Sequence, residues 1–262
     1  MTDQIIFDAV GHAYRTSGGT QMQALRDVNL AVAEGEFVSL LGPSGCGKST
    51  LLYLLGGFVP LQSGRILMEG KPVTGPGPDR GVVFQNFALF PWKTVRENVA
   101  YGLERMKMGR AERAEIVREF IAMVHLSGFE DSFPSQLSGG MRQRVAIART
   151  LAVRPKVLLM DEPFGALDAQ TREIMHEELL AIMARTKMTT LFVTHDVREA
   201  VYLSDRVAVM SQRPGTIKEV VTMVLGGVRS PSVMKSPEFG AHVEYLWGQV
   251  KSDAVRAVEA RG

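Results

Sequence analysis

LLGPSGCGKSTLL (residues 40–52) sets two apolar runs on either side of a glycine-rich bend that ends in a lysine and two hydroxyls. Residues 42–49 follow G-x-x-x-x-G-K-S, the strand-to-helix loop whose inward-pointing N–H groups cradle phosphates. The curl spans Gly42, Pro43, Ser44, Gly45, Cys46 and Gly47, and the helix expected from Lys48, Ser49 and Thr50 adds its positive end. On this reading Lys48 reaches the outer phosphates and the Ser49 hydroxyl ligates Mg2+. The flanks fit the motif: EFVSLL before it reads as a buried strand and STLLYLLGG after it as a helix. The one cysteine, Cys46, lies near this helix start with Lys48 two residues on, a positive potential expected to lower its pKa and raise its reactivity.

The rest of the composition narrows the class. With 262 residues, 45% hydrophobic and 22% charged, the chain is large enough for a proper core and is not of the disordered type. Lys plus Arg number 30 against 28 Asp plus Glu, a balance that gives no reason to expect nucleic acid as a partner. A lone cysteine excludes an intrachain disulfide and fits a reducing compartment. The start, MTDQIIFDAV, shows no basic n-region or export-type core, so no export leader is expected, and the longest apolar run, residues 51–61, is interrupted by glycine and proline. It falls short of the ~20 residues that span a bilayer.

FVSLL, KVLLM and TTLFVTH read as strands buried on both faces of a parallel sheet. GRILMEGKPV and residues 5–10 and 25–32 read as shorter, half-exposed strands of a separate antiparallel patch. Residues 110–126 carry apolar positions Ile116, Phe120, Met123 and Val124 at helical spacing. The fold class expected is therefore α/β: a P-loop NTPase core with a mostly parallel sheet, an antiparallel β subdomain and an inserted α-helical subdomain at about residues 87–143. GGVRSPS marks a boundary near residue 225, and residues 226–262, with Phe239, Val243, Leu246, Trp247 and Val250, are expected to form a helical tail that docks on the body.

A phosphate loop needs a metal-binding acid. In KVLLMDEP a buried strand delivers Asp161 to a strand end suited to holding Mg2+ directly or through water, and Glu162 beside it is placed to accept a proton from an attacking water. LSGGMRQR (residues 137–144) then supplies Ser138, Gly139 and Gly140 as a second anion-binding helix start. One nucleotide does not need two cradles, which points to a nucleotide held by another copy of the chain.

Residues 1–225, carrying both cradles and the DE pair, resemble the ATP-binding subunit of an ATP-binding cassette (ABC) transporter. The resemblance implies a head-to-tail dimer in which LSGG of one subunit closes on ATP in the phosphate loop of the other. It further implies that Tyr14 stacks on adenine, Gln85 senses Mg2+ and the outer phosphate, Asp168 in GALD crosses the dimer seam, and His195 in VTHD contacts the γ-phosphate. Met141 stands where the commonest family pattern has glutamine, a departure that bears on subfamily. The runs GVVFQNFALFPWKTVRENVAYGLE and DEPFGALDAQTR are similar to the cassettes of nitrate, sulfonate and taurine importers. By that resemblance the chain is an ATPase peripheral to the cytoplasmic side of the inner membrane, working with integral-membrane permease subunits and a solute-binding protein. Phe87, Phe90 and Trp92, dense for a chain only 7% aromatic, are the expected docking surface for the membrane partner, with packing of the helical subdomain as the alternative. An exporter subunit stays open as a second reading. A DNA-repair or chromosome-type ATPase is disfavoured because residues 50–136 show no sustained heptads.

Overall fold

The computed structural model describes residues 3–15, 19–226 and 229–259, with side chains to residue 251. The elements run β1 (Asp3–Arg15), β2 (Gln21–Ala33), β3 (Phe37–Leu41), α1 (Lys48–Leu55), β4 (Ser63–Met68), β5 (Lys71–Pro72), β6 (Arg80–Val83), α2 (Val95–Ala100) and α3 (Arg110–Met123). They continue with α4 (Gly139–Ala152), β7 (Val157–Asp161), α5 (Ala169–Thr186), β8 (Thr189–Thr194), α6 (Val197–Leu203), β9 (Arg206–Met210), β10 (Ile217–Thr222) and α7 (Pro237–Glu259). They form two compact units, one of Met1–Gly77 with Lys187–Gly262, the other of Pro78–Thr186.

The first unit holds the antiparallel sheet β2-β1-β4-β5. It also holds a run in which β3 lies parallel to β8 on one side and to β9 on the other, with β10 antiparallel beyond β9. All five residues of β3 are buried, as an apolar run between two sheet neighbours should be, and all six of β8 are buried as well. The polar exception in β3, Ser39, bonds the hydroxyl of Ser204, both fully buried, so neither hydroxyl is left without a partner.

The second unit carries β6 parallel to β7, and helices α2 to α5. Thr94 and Glu97 form a capping box that starts α2. α3 buries Ile116, Val117, Phe120 and Ile121, and the chain beyond it buries Val124 and Leu126, while Met123 is half-exposed. The helical spacing read from residues 110–126 therefore overruns α3 by one turn, because Val124 (φ −98°) and His125 (φ 55°) leave the helix.

β1 and β2 are each 13 residues long, well beyond the short strands the pattern suggested. Register shifts at Phe7/Val10, Val10/His12 and His12/Ala13, with Ala9 (φ 50°) and Asp27 (φ 46°) in the left-handed region, break the period-2 alternation on which a sequence reading of strand length relies. α7 packs in the first unit through Phe239 and Leu246, each buried and each contributing about 1.5–3 kcal/mol by leaving water. The Arg198 guanidinium lies 5.2 Å over the Phe239 ring, and Trp247 stays exposed. Gly227 and Val228 of the expected boundary, and residues 260–262 of the expected tail, lie outside the described residues.

Candidate functional site

The first unit builds the phosphate loop. β3 delivers Gly42 to the strand end, and the chain turns through Gly45 (φ 76°) and Gly47 (φ 108°) before α1 begins at Lys48. At Gly47 a side chain is excluded twice: the backbone is left-handed, and a Cβ would stand 2.6 Å from Leu25 Cδ2. Lys48, only 4% exposed, curls back so that Nζ donates to Gly42 O at 2.7 Å and to Pro43 O at 3.0 Å. A buried ammonium held on carbonyls inside the arc is placed to meet anionic oxygens entering that arc. Ser49 is half-buried one residue on, and Ser44 is exposed at the rim.

Two other expected residues share this unit. The Tyr14 hydroxyl donates to Thr50 Oγ1 at 3.3 Å, which brings a ring 37% exposed beside the start of α1. His12 meets that ring edge-on at 4.7 Å and limits its orientations. The register Leu41↔Thr194 sets the ends of β3 and β8 side by side, so His195 leaves the same edge as Gly42. Asp196 caps α6 by accepting from Arg198 N at 2.8 Å and Glu199 N at 3.2 Å, and Thr194 Oγ1 accepts from Asp196 N at 3.0 Å. These bonds fix the turn that displays His195, which is exposed.

Cys46 corrects the sequence reading of a reactive thiol. It is 1% exposed, and burial pushes its pKa up, outweighing the nearby positive charges of Lys48 and Arg213 that pull it down. The glycines that let the loop curl also turn this side chain inward, a direction the local sequence did not reveal. Maleimide labelling of the native protein at neutral pH is therefore expected to be at least about 100-fold slower than labelling in denaturant, since only exposed thiolate reacts. Equal rates, measured by mass spectrometry, would contradict this burial.

The second unit gathers the remaining residues. β7 is buried along its length and ends at Asp161, which is 6% exposed. Glu162 follows at φ 43°, an unusual conformation for a glutamate and the kind of backbone strain that collects at functional sites. The register Val83↔Met160 puts the end of β6 beside this acidic pair. A Cβ on Gly165 would lie 3.4 Å from Gln85 Nε2, so that amide rests against the turn leaving Glu162.

α4 opens with Ser138 as N-cap, its side chain accepting from Met141 N at 3.3 Å. A Cβ on Gly140 would come within 2.7 Å of Thr171 Cγ2, so glycine lets the start of α4 pack this close to α5. A Cβ on Gly139 would lie 3.2 Å from Leu167 Cδ2, which makes the serine-glycine turn a neighbour of the segment carrying Asp168. Asp168 is exposed, and the Thr171 backbone N–H, followed by its side chain, holds the carboxyl below the usual carboxylate range. Ser138 and Asp168 thus open on one exposed region of the second unit.

The segment from Gln85 to the aromatics is pinned from both ends. Arg149 of α4 donates to Ala88 O at 2.6 Å and to Phe87 O at 3.0 Å, and its guanidinium lies 5.6 Å over the Phe90 ring. Asn98, fully buried, exchanges bonds with the Phe90 backbone and donates to Lys93 O and Thr94 O. The three aromatics therefore divide. Phe90 packs on Tyr101 at 4.3 Å between ring centroids, Phe87 lies under Arg142, and Trp92 is 71% exposed.

In the first unit Ser49 offers a hydroxyl oxygen, and in the second Asp161 and Gln85 offer a carboxylate and an amide oxygen, each a hard donor of the kind Mg2+ prefers. A glycine curl closed by a buried lysine suits a polyphosphate.

Known proteins resemble this chain along most of its length. The family model described as ABC transporter matches residues 25–165. An uncharacterized ABC transporter ATP-binding protein of Methanocaldococcus jannaschii is 52% identical over 92% of this chain and 89% of its own length. The nitrate import ATP-binding protein NrtD of Synechocystis is 47% identical over 90% of this chain and 91% of its own. The taurine import ATP-binding protein TauB of Escherichia coli is 45% identical over 92% and 96%. Among solved structures, a dimeric post-hydrolysis state of an ATP-binding cassette bound to ADP and Pi is 34% identical, with a TM-score of 0.74 over 84% of this chain and 99% of that one. With a family model over more than half its residues and relatives near 50% identity along nine-tenths of it, the chain belongs to the ABC transporter family, in which it is an ATPase.

Proposed function

We propose that the chain is the ATPase subunit of an importer for a small solute such as nitrate, a sulfonate or taurine, and that two copies close head to tail over two Mg-ATP. In each closed site the phosphate loop of one copy holds the nucleotide and Ser138, Gly139 and Gly140 of the other copy cap its outer phosphate, with Asp168 at the seam. Bound Mg2+ supplies charge neutralisation on the outer phosphates, with Ser49, Asp161 and Gln85 as its protein donors. Tyr14 stacks on adenine. Lys48 draws the outer phosphates into the loop and offsets their growing charge as the bond to ADP breaks. Glu162 accepts the proton of the water whose oxygen attacks the γ-phosphorus, and His195 orients that phosphate. ADP departs with the bridging oxygen, inorganic phosphate forms, and loss of the shared phosphate lets the two copies separate.

The observation that carries the transport reading is the pinned segment at residues 85–92. It starts at Gln85 beside the Glu162 turn, is clamped by Arg149 on the helix that Ser138 caps, and ends at an indole exposed to solvent. Such a connection transmits nucleotide-dependent movement of α4 to a protruding aromatic, a residue type enriched at interface hot spots. Integral-membrane permease subunits are the partners this reading requires, with a solute-binding protein beyond them. Among the described residues no helix is long and apolar enough to cross a membrane, so the crossing falls to those partners. Import is favoured over export by two relatives named for import; their different solutes, at nearly equal identity, agree with an ATPase that never touches the cargo. The site of action is then the cytoplasmic face of the inner membrane.

Trp92→Ala tests this. In the free subunit it is expected to leave Mg-ATP affinity within about twofold and stability nearly unchanged, as for most exposed positions. Recovery of the membrane complex, followed by co-purification, is expected to fall at least about tenfold. Phe90→Ala, by contrast, is expected to lower the melting temperature of the free subunit, because that ring is packed. Full assembly of the Trp92→Ala complex would overturn the docking assignment.

A further inference from the structure

A turn outside every motif grips the phosphate loop. The parallel register Leu41↔Val209 brings the ends of β3 and β9 to one edge, so the turn leaving β9 lies beside the loop leaving β3. That turn is tied within itself, with Thr216 N donating to Ser211 Oγ at 3.0 Å and Ser211 N to Thr216 O at 3.0 Å. It is also tied to β2: Gly215 N donates to Ala24 O at 2.8 Å and Gly215 O accepts from Arg26 N at 3.0 Å. Gly215 approaches so closely that a Cβ there would fall 2.0 Å from Cys46 O. From this anchored base Arg213 reaches across, and its Nε and Nη2 donate to Gly45 O at 3.1 and 2.9 Å.

Gly45 lies in the left-handed region, where glycine lets the following peptide turn either way. A carbonyl facing into an anion cradle opposes the ligand, and one facing out leaves the trans N–H of the same peptide facing in. Arg213 captures this oxygen on the outer side. The N–H of that peptide belongs to Cys46 and meets Pro43 O at 3.3 Å, within the loop. The guanidinium also sets a second positive charge beside the loop, at Gly45, the residue before Cys46, whereas Lys48 lies two residues after it.

We propose that Arg213 is a positioning residue for nucleotide binding, holding the Gly45–Cys46 peptide in the orientation that accepts phosphate. The proposal rests on the phosphate loop holding ATP. It predicts that Arg213→Ala raises KM and Kd for Mg-ATP roughly tenfold, the scale of one charge-assisted hydrogen bond at a partly exposed site, with kcat within about twofold. Arg213→Lys keeps the charge but cannot place two N–H groups on one oxygen, so it should fall between wild type and alanine. Without nucleotide, the melting temperatures of both variants should stay within about 2 °C of wild type, whereas the rise produced by saturating Mg-ATP should shrink for alanine. Unchanged Kd in both variants overturns the proposal. So does loss of nucleotide-free stability that lysine fails to restore, which makes Arg213 a structural residue only. Failure of the unaltered chain to bind Mg-ATP would instead strike the phosphate-loop reading itself.

Discussion

Replacing Glu162 with glutamine is expected to reduce ATP turnover by about 10²–10⁴-fold, the range that general-base catalysis contributes, while leaving Mg-ATP affinity within about twofold. The physical case is local. Glu162 follows a buried strand and sits at φ 43°, so its place is set by the end of β7 and by its own backbone. Glutamine has the same shape and tolerates the same backbone, so Asp161 and Gln85 should keep their places. What disappears is the carboxylate proposed to take the proton from water. On the proposed cycle, in which hydrolysis releases the seam, the variant should also accumulate as a dimer when ATP is added, visible by light scattering, while remaining monomeric without nucleotide. Turnover at the wild-type rate would remove Glu162 from the role of base.

Sequence and structure agree most closely where a physical constraint is local. FVSLL, KVLLM and TTLFVTH are read correctly because a strand buried on both faces has one simple signature, and β3, β7 and β8 carry it without interruption. The phosphate loop is legible for a related reason: its glycines and lysine act on their own neighbours within eight residues. Agreement fades where the cause is distant. The bulges of β1 hide its length, since each one moves later residues to the other face. The Cys46 thiol reads as reactive from the positive charges near it, whereas burial of its side chain in the folded loop outweighs them. Arg213 could not be found at all. Nothing in SQRPGT announces that its guanidinium bonds a carbonyl 168 positions earlier, and only the parallel pairing of β3 with β9 brings the two together. The aromatics at residues 87–92 are intermediate: their density marks a special segment, but only the packing around Arg149 and Asn98 separates the half-buried, packed Phe90 from exposed Trp92.

Lys48→Ala should have the other large effect. The ammonium is buried on the loop's own carbonyls, and its removal leaves those carbonyls facing an incoming anion with no cation between them. Affinity for Mg-ATP is expected to fall by about 100-fold or more, since hydrogen bonds to charged groups are each worth ~1.5–3 kcal/mol and a buried lysine makes more than one with a polyphosphate. ATPase activity falls with it. Ser138→Arg should be equally inactive for a different reason: it caps α4 at an exposed turn beside Asp168, and a long cation there obstructs closure while sparing ATP binding to the phosphate loop of the same chain.

These two inactive chains give the most direct test of a site shared between copies. In a mixed dimer of Lys48→Ala with Ser138→Arg, one site receives both lesions and the other receives an intact phosphate loop from one chain and an intact Ser138 turn from the other. Sites built in trans predict that mixing restores ATPase activity, up to about half that of wild type per mixed dimer, from two proteins that are each inactive alone. If every mixing ratio stays as inactive as the separate variants, while the mixed dimer is seen to form, the phosphate loop and the Ser138 turn do not serve one nucleotide across two copies.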